Sequence, residues 1–258
     1  MAVGEKMRLL EVRIRLLSPA IITAKRVERG YVKPLNYVPG SMLRGAILSA
    51  LYWEGRISEN VIEREAERPG LLASPAYPLI EGVKSLPATP FAAECKYCGA
   101  IIEKTRESVD RLRRGEEPEP PTTCPKCEKV APELGPTLRT IYGTPLARIG
   151  GALKRVGVRS FRATSVGINK RSGAAMRGML YDYEAIAEGS EFWARLVVPD
   201  YIELGGRLEI TLGRGGSRGF GAAVLEVVGE HEPRGEVPSL SMLYAVSPII
   251  PLRALPLP

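Results

Sequence analysis

Residues 213 to 221 read Gly213-Arg-Gly-Gly-Ser-Arg-Gly-Phe-Gly221 and run directly into the apolar segment Ala222–Val228. The pattern predicts a tight loop followed by a strand. A P-loop is excluded, because no Gly-Lys-Ser/Thr follows. A dinucleotide fingerprint is excluded too: Arg218 stands where the third glycine belongs, and the next element is a strand rather than a helix. What remains is a backbone that can come close to phosphates, with Arg214 and Arg218 to pair with them and Phe220 to stack on a base. Two upstream segments, Phe192–Val198 and Arg207–Leu212, also read as strands, so the C-terminal part of the chain is sheet.

Working toward the N-terminus, Val12, Ile14 and Leu16 alternate with Arg13 and Arg15, which predicts a half-buried first strand with a basic opposite face. Thr23 to Asn36 reads as a polar, basic loop. Ser41 is expected to cap a helix whose apolar stripe is Leu43, Ile47, Ala50 and Leu51 and which ends near Gly55. A second helix is expected from Ser58 to just before Pro69, and residues 69–94 read as Pro-rich and irregular. Strand, helices, insert and late strands together predict an α+β fold, with helices packed on an antiparallel sheet. The expected organisation is an N-terminal core over 1–94, an inserted module over 95–134, the rest of the core over 135–232 and a Pro-rich tail over 233–258. The tail's apolar segment, Met242–Leu252, is expected to dock a partner or pack across the sheet.

All four cysteines fall in two pairs, Cys95-Lys-Tyr-Cys98 and Cys124-Pro-Lys-Cys127. Two such knuckles close the four-thiolate tetrahedron that zinc prefers, with no open coordination position, so the expected zinc is structural. Two disulfides are the alternative, but each would close a tiny loop and stabilise little. The spacer between the pairs holds a helix-like stretch, Lys104–Arg114, and an acidic Pro-rich loop, Glu116–Pro121.

The 258 residues carry a formal net charge of +7, and the chain has no apolar run of membrane-spanning length. Charged residues interrupt the N-terminus, so no secretory signal is expected and the cytoplasm is the expected location. There is no glutamine, and there are three asparagines and 22 prolines, a thermolabile-poor profile expected of a thermophile. Between Arg139 and Arg177 stand nine basic residues and no acid: Arg139, Arg148, Lys154, Arg155, Arg159, Arg162, Lys170, Arg171 and Arg177. Solvated faces usually mix signs, so this run points to a polyanion.

Three blocks together resemble the RAMP superfamily of CRISPR-associated proteins. They are Tyr37-Val-Pro-Gly-Ser-Met-Leu-Arg-Gly45 opening a helix, the glycine loop before the late strand, and a middle block. The middle block runs from Ser165-Val-Gly-Ile-Asn-Lys-Arg-Ser-Gly173 into Leu180-Tyr-Asp-Tyr-Glu184 and Gly189-Ser-Glu-Phe192, and it is similar to the family's projecting hairpin. The resemblance implies a ferredoxin-like, RNA-recognition-motif-like fold, in modified or partial form, around the zinc-ribbon insert. It also implies guide-RNA binding and assembly with other effector subunits, backbone RAMP chains and a large subunit. The expected RNA contacts are Tyr37, Ser41, Arg44, Arg162, Lys170, Arg171, Arg177, Arg214, Arg218 and Phe220. For Arg44 the physical ground is a helix N-terminus that presents free N–H groups to a phosphate.

Within the family, a guide-processing nuclease usually needs a histidine base. The one histidine here, His231, lies in the acidic stretch Glu230-His-Glu-Pro and reads as a solvated turn residue. Target-cleaving backbone subunits are implied to carry an aspartate in the loop after the first strand. Thr23–Asn36 has none, its one acid is Glu28 between Arg26 and Arg29, and Asn169 stands where such members often have an acid. Leu72-Ala-Ser-Pro-Ala-Tyr-Pro78 is similar to the III-D-like subunit that caps the guide's 5′ tag. The expected function is therefore non-catalytic tag binding. The alternatives are a cleaving backbone subunit and a zinc-ribbon module that docks an acidic protein.

Overall fold

The computed structural model describes residues 6–26, 32–130 and 138–231. They form two compact units: one runs up to Lys84 and resumes at Gly157, the other is Ser85–Val156. In chain order the first unit supplies β1 (Met7–Leu16), β2 (Thr23–Arg26), β3 (Val32–Pro34), α1 (Gly40–Trp53), α2 (Glu59–Glu67), β4 (Leu72–Ala73), β5 (Tyr77–Ile80) and β6 (Val83–Lys84). The second supplies β7 (Leu86–Pro87), β8 (Ala92–Cys95), β9 (Ile101–Glu103), α3 (Thr105–Arg113), α4 (Pro125–Val130), β10 (Leu138–Thr140), β11 (Pro145–Ile149) and β12 (Ala152–Arg155). The first then resumes with β13 (Ser160–Ile168), β14 (Ala175–Ile186), β15 (Glu191–Pro199), β16 (Arg207–Thr211) and β17 (Ala222–His231).

The main sheet of the first unit runs β16-β17-β1-β15-β5-β6, with β4 also on β15. On β1 the alternation works as the sequence predicts: Leu10, Val12, Ile14 and Leu16 are buried while Arg13 and Arg15 are exposed. Because β15 is antiparallel to both β1 and β5, the strands β1 and β5 are parallel, joined through α1 and α2 and separated by β15. That is the split β-α-β half of a ferredoxin-like fold. The other half departs from it. Between β15 and β17, where a second helix would stand, the chain forms β16 and the glycine loop. Arg207-Leu-Glu-Ile-Thr211 alternates with period two, and the five glycines of residues 213–221 oppose a helix.

The apolar stripe of α1 buries Leu43, Ile47 and Leu51 completely, each worth about 1.5–3 kcal/mol of burial. Its cap is Pro39, whose carbonyl already accepts the Leu43 N–H at 3.0 Å. Ser41 is therefore an exposed residue inside the first turn and makes no side-chain cap bond, contrary to expectation. The start of the helix is fixed by contact: a Cβ on Gly40 would lie 2.3 Å from the Ala73 carbonyl oxygen. The expected second helix is present as α2, with Ser58 as its cap.

Two further expectations are corrected. The polar loop Thr23–Asn36 contains the antiparallel pair β2–β3, which joins β13 and β14 in a four-stranded sheet. The irregular stretch 69–94 contains β4 to β8. Several of these strands, two to four residues long, are held by partners more than a hundred residues away: Val32 of β3 by Tyr183, Leu72 and Ala73 of β4 by Val197 and Leu196, and Tyr77 and Pro78 of β5 by Trp193 and Phe192. The tail 233–258 and Glu28 lie outside the described residues. No helix among those described is long and apolar enough to cross a membrane.

Candidate nucleic-acid interface and four-cysteine cluster

Contact with neighbouring backbone pins the glycine loop at both ends. Gly213 has φ +81° and a Cβ there would lie 2.4 Å from the Ile21 carbonyl oxygen; at Gly221 a Cβ would lie 2.0 Å from the Leu212 carbonyl oxygen. The Arg214 N–H donates to the Ile21 carbonyl at 3.0 Å and the Gly221 N–H to the Pro19 carbonyl at 2.8 Å. Between these anchors a single 3-10 turn, Gly216–Arg218, leaves Arg214 and Arg218 exposed. Phe220 is half-buried and sits edge-on to Tyr183 of β14, with ring centroids 5.7 Å apart. The loop thus stands at the foot of the β13–β14 hairpin.

That hairpin is the middle block of the sequence. Its turn is tied by Asn169, whose side-chain oxygen accepts the Arg171 N–H at 2.9 Å and whose carbonyl accepts the Gly173 N–H at 2.8 Å. Lys170 and Arg171 are exposed at the tip. Tyr183 is eight residues along β14 from Ala175, so tip and foot are separated by about 26 Å at roughly 3.3 Å per residue. Arg214, Arg218 and Phe220 are brought together, while Lys170 and Arg171 stand at the far end of the same hairpin.

The remaining expected contacts have other neighbours. Tyr37 is half-buried and stacks on Tyr77, with centroids 5.6 Å apart. Arg44 does not face outward as an anion fork. Its Nε donates to the Leu71 carbonyl at 2.9 Å and its terminal nitrogen to the Glu65 carbonyl and Oε2, both at 2.7 Å. Glu65 is 1% exposed and also accepts from the Gly70 and Leu71 N–H groups and the Tyr201 hydroxyl. Burial pushes its pKa up, but the hydrogen bonds from Tyr201, Arg44, Leu71 and Gly70 outweigh that, and the carboxyl is held below its ordinary value. Arg162 lies opposite Glu184 across β13 and β14. Arg177 lies on β14, and its side chain is outside the described residues.

The acid-free run is partly neutralised by acids from elsewhere in the chain. Arg139 and Arg155 both reach Glu94, at 2.8 and 2.9 Å. His231 is the last residue of β17 rather than a turn residue, with Nε2 3.6 Å from Glu11 Oε2. Nine residues of strand, about 30 Å, separate it from the glycine-loop end of β17.

In the second unit the four cysteine sulfurs all lie within 4.8 Å of one another. Two pairs run across the knuckles, Cys95 to Cys127 and Cys98 to Cys124, each 3.6 Å apart. All four cysteines are free thiols, and the 3.6 Å spacing is close to the edge of a tetrahedron with metal–sulfur bonds of about 2.3 Å. Each knuckle has a local cause. Gly99, at φ +67°, lets its N–H turn back to the Cys95 carbonyl at 3.0 Å. Pro125 opens α4, where its missing N–H is not needed. Backbone N–H groups of Cys98, then of Tyr97, point at the Cys95 sulfur and pull its pKa down to about 6, so one thiolate is ready at neutral pH. The donor set fits a tetrahedral metal ion held by four sulfurs.

Two groups escaped the sequence reading. Tyr183 lies inside the quoted block Leu180–Glu184, and its aromatic identity was the available signal. Glu65 gave none, since a glutamate in a charged helix looks solvated.

The match to a model of the RAMP superfamily extends over residues 13–224. No curated protein matches the chain in sequence. Among solved structures, a chain of the type III-B Cmr-beta assembly in its apo state is 13% identical, with a TM-score of 0.44 over 85% of this chain and 97% of that one. A crystal structure of oligomeric Cmr4 from Pyrococcus furiosus is 14% identical, with a TM-score of 0.34 over 87% of this chain and 100% of that one.

Proposed function

We propose, for a chain that belongs to the RAMP superfamily, that it is a guide-RNA-binding subunit of a type III CRISPR effector complex. It holds the repeat-derived 5′ tag of the guide and joins other subunits without cutting RNA. The observation that carries this reading is the anchored glycine loop, which holds Arg214, Arg218 and Phe220 together beside Tyr183 at the foot of a basic-tipped hairpin. Two guanidinium groups grip phosphates and an aromatic face takes an unpaired base, the combination used on single-stranded RNA. Lys170 and Arg171 extend the backbone contact along the hairpin. The reading without catalysis rests on His231, the one imidazole, lying at the other end of β17 from the loop.

The four cysteines hold a structural zinc in this proposal. Four thiolates leave the ion no position for water, so its contribution is to fold rather than to chemistry.

The test is binding of a labelled single-stranded RNA carrying the repeat-derived tag, measured across salt concentrations. The affinity should fall steeply with salt. Removing both Arg214 and Arg218 should reduce the slope by about 1.4, about 0.7 per lost phosphate contact. A flat salt response, or an unchanged slope in the double variant, would overturn the proposal. Cleavage of a complementary target by the wild-type chain would overturn the non-catalytic part alone.

A further inference from the structure

A second surface of the first unit, the open edge of its main sheet, can be read whether or not the RNA proposal holds. Among the described strands, β16 is the last on its side of the main sheet. The Leu212 N–H donates to the Gly221 carbonyl and the Val227 N–H to the Gly206 carbonyl, so the even-numbered residues of this strand turn their backbone toward β17. By the alternation of an antiparallel ladder, the N–H and C=O groups of Arg207, Glu209 and Thr211 point to the open side. Among the described residues no backbone partner meets them there. The open window is short and bounded at both ends. At one end Arg56 donates to the Glu203 carbonyl at 2.7 Å, and at the other the Arg214 N–H is bonded to Ile21.

Beside this edge runs a groove of about 520 Å³ whose other wall is α1. Met42, Gly45, Ala46 and Ala50 line it, with Trp53, 83% exposed, at one end. Met42, Ala46 and Ala50 are partly buried apolar residues on the margin of the core, and nothing lies within 4 Å of a Cβ placed on Gly45. The helix thus extends a small-residue apolar floor beyond the last strand, which is what the inward side chains of one more strand require. The ionisable groups on the groove are both acidic, Glu54 and Glu209. Glu54 is already bridged to Arg56 at 3.1 Å, so Glu209, on the same outward strand face as the exposed Arg207, is the carboxylate that faces an incoming cation.

We propose that the β16 edge and the α1 face form a β-augmentation site that takes a short extended segment of a partner protein, with apolar residues inward and a lysine or arginine opposite Glu209. Main-chain hydrogen bonds to Arg207, Glu209 and Thr211 supply the attachment, and the apolar floor and Glu209 supply the selectivity. Covering the edge also removes an exposed ladder that otherwise invites indiscriminate pairing.

The test uses the full chain and a labelled peptide probe, acetyl-Val-Lys-Val-Lys-Val amide, read by fluorescence anisotropy. Saturable binding is expected, weakened about tenfold or more by N-methylation of the peptide's alternate amides and by Glu209→Lys. Gly45→Leu fills the groove and should abolish binding while the melting temperature holds or rises, since leucine favours helix over glycine. The proposal is overturned if the probe does not bind, if the N-methylated peptide binds as well as the unmodified one, or if acetyl-Val-Glu-Val-Glu-Val amide binds equally.

Discussion

The two units are ordered by different means. Among the described residues the first buries a continuous core of twenty-six apolar side chains between one sheet face and α1. Among the described residues the second gathers a smaller cluster, Ala88, Ala92, Ile141 and Leu146 with Ile101 and Leu153 packed against it, and places its four cysteine sulfurs together. That cluster is far smaller than the first unit's, so a linkage through the four cysteines would carry a larger share of the second unit's stability. In the first unit polar groups are supported by packing, as Glu65 is.

That contrast is most exposed to metal removal. Chelation, or Cys124→Ser, should melt the second unit while leaving the first unit's transition in place, because a structural four-ligand zinc supplies about 10 kcal/mol or more of folding free energy. Calorimetry with and without chelator reads this directly, and equal profiles would place the second unit's stability elsewhere. In the first unit, Arg44→Met should cost about 3 kcal/mol, since it strands the buried Glu65 carboxylate. Denaturant melts of the variant should show that loss with no change in metal content.

Glu65 also gives the node a pH dependence. Its folded pKa lies below the ordinary 4.5, so its contribution is complete above that value and is lost as the pH falls through the lowered one. The stability gap between wild type and Glu65→Gln should therefore be widest near neutrality and shrink in acid, as followed by urea melts at pH 7 and pH 3. Arg218→Ala comes last in structural effect. Its side chain is exposed, so the melting temperature should hold within about 0.5 kcal/mol of stability while RNA affinity drops.

The same contrast explains what could be read without coordinates. The strands β1 and β15 were legible because they are long and alternate, β16 because its five residues alternate strictly, β17 because it is a run of apolar residues, and the cysteine cluster because its chemistry lies in its spacing. The pairs β2–β3 and β5–β6 were not, since four residues such as Tyr77-Pro-Leu-Ile80 carry little pattern and their pairing with β14 or β15 is decided far along the chain. Arg44 was misread for a related reason. A sequence shows an arginine at a helix start, but not the carboxylate that the next helix brings to it. At the glycine loop, composition pointed to phosphates, whereas the structure assigns Gly213 and Gly221 to close backbone contacts that hold the arginines in place.

The central claim is that this chain grips one defined end of a guide RNA, and the most direct measurement is to purify it within its native complex and sequence the small RNA it retains. The account predicts a population sharing a single repeat-derived 5′ end, lost when Arg214 and Arg218 are both replaced by alanine. RNA with scattered 5′ ends, or no retained RNA, would contradict it.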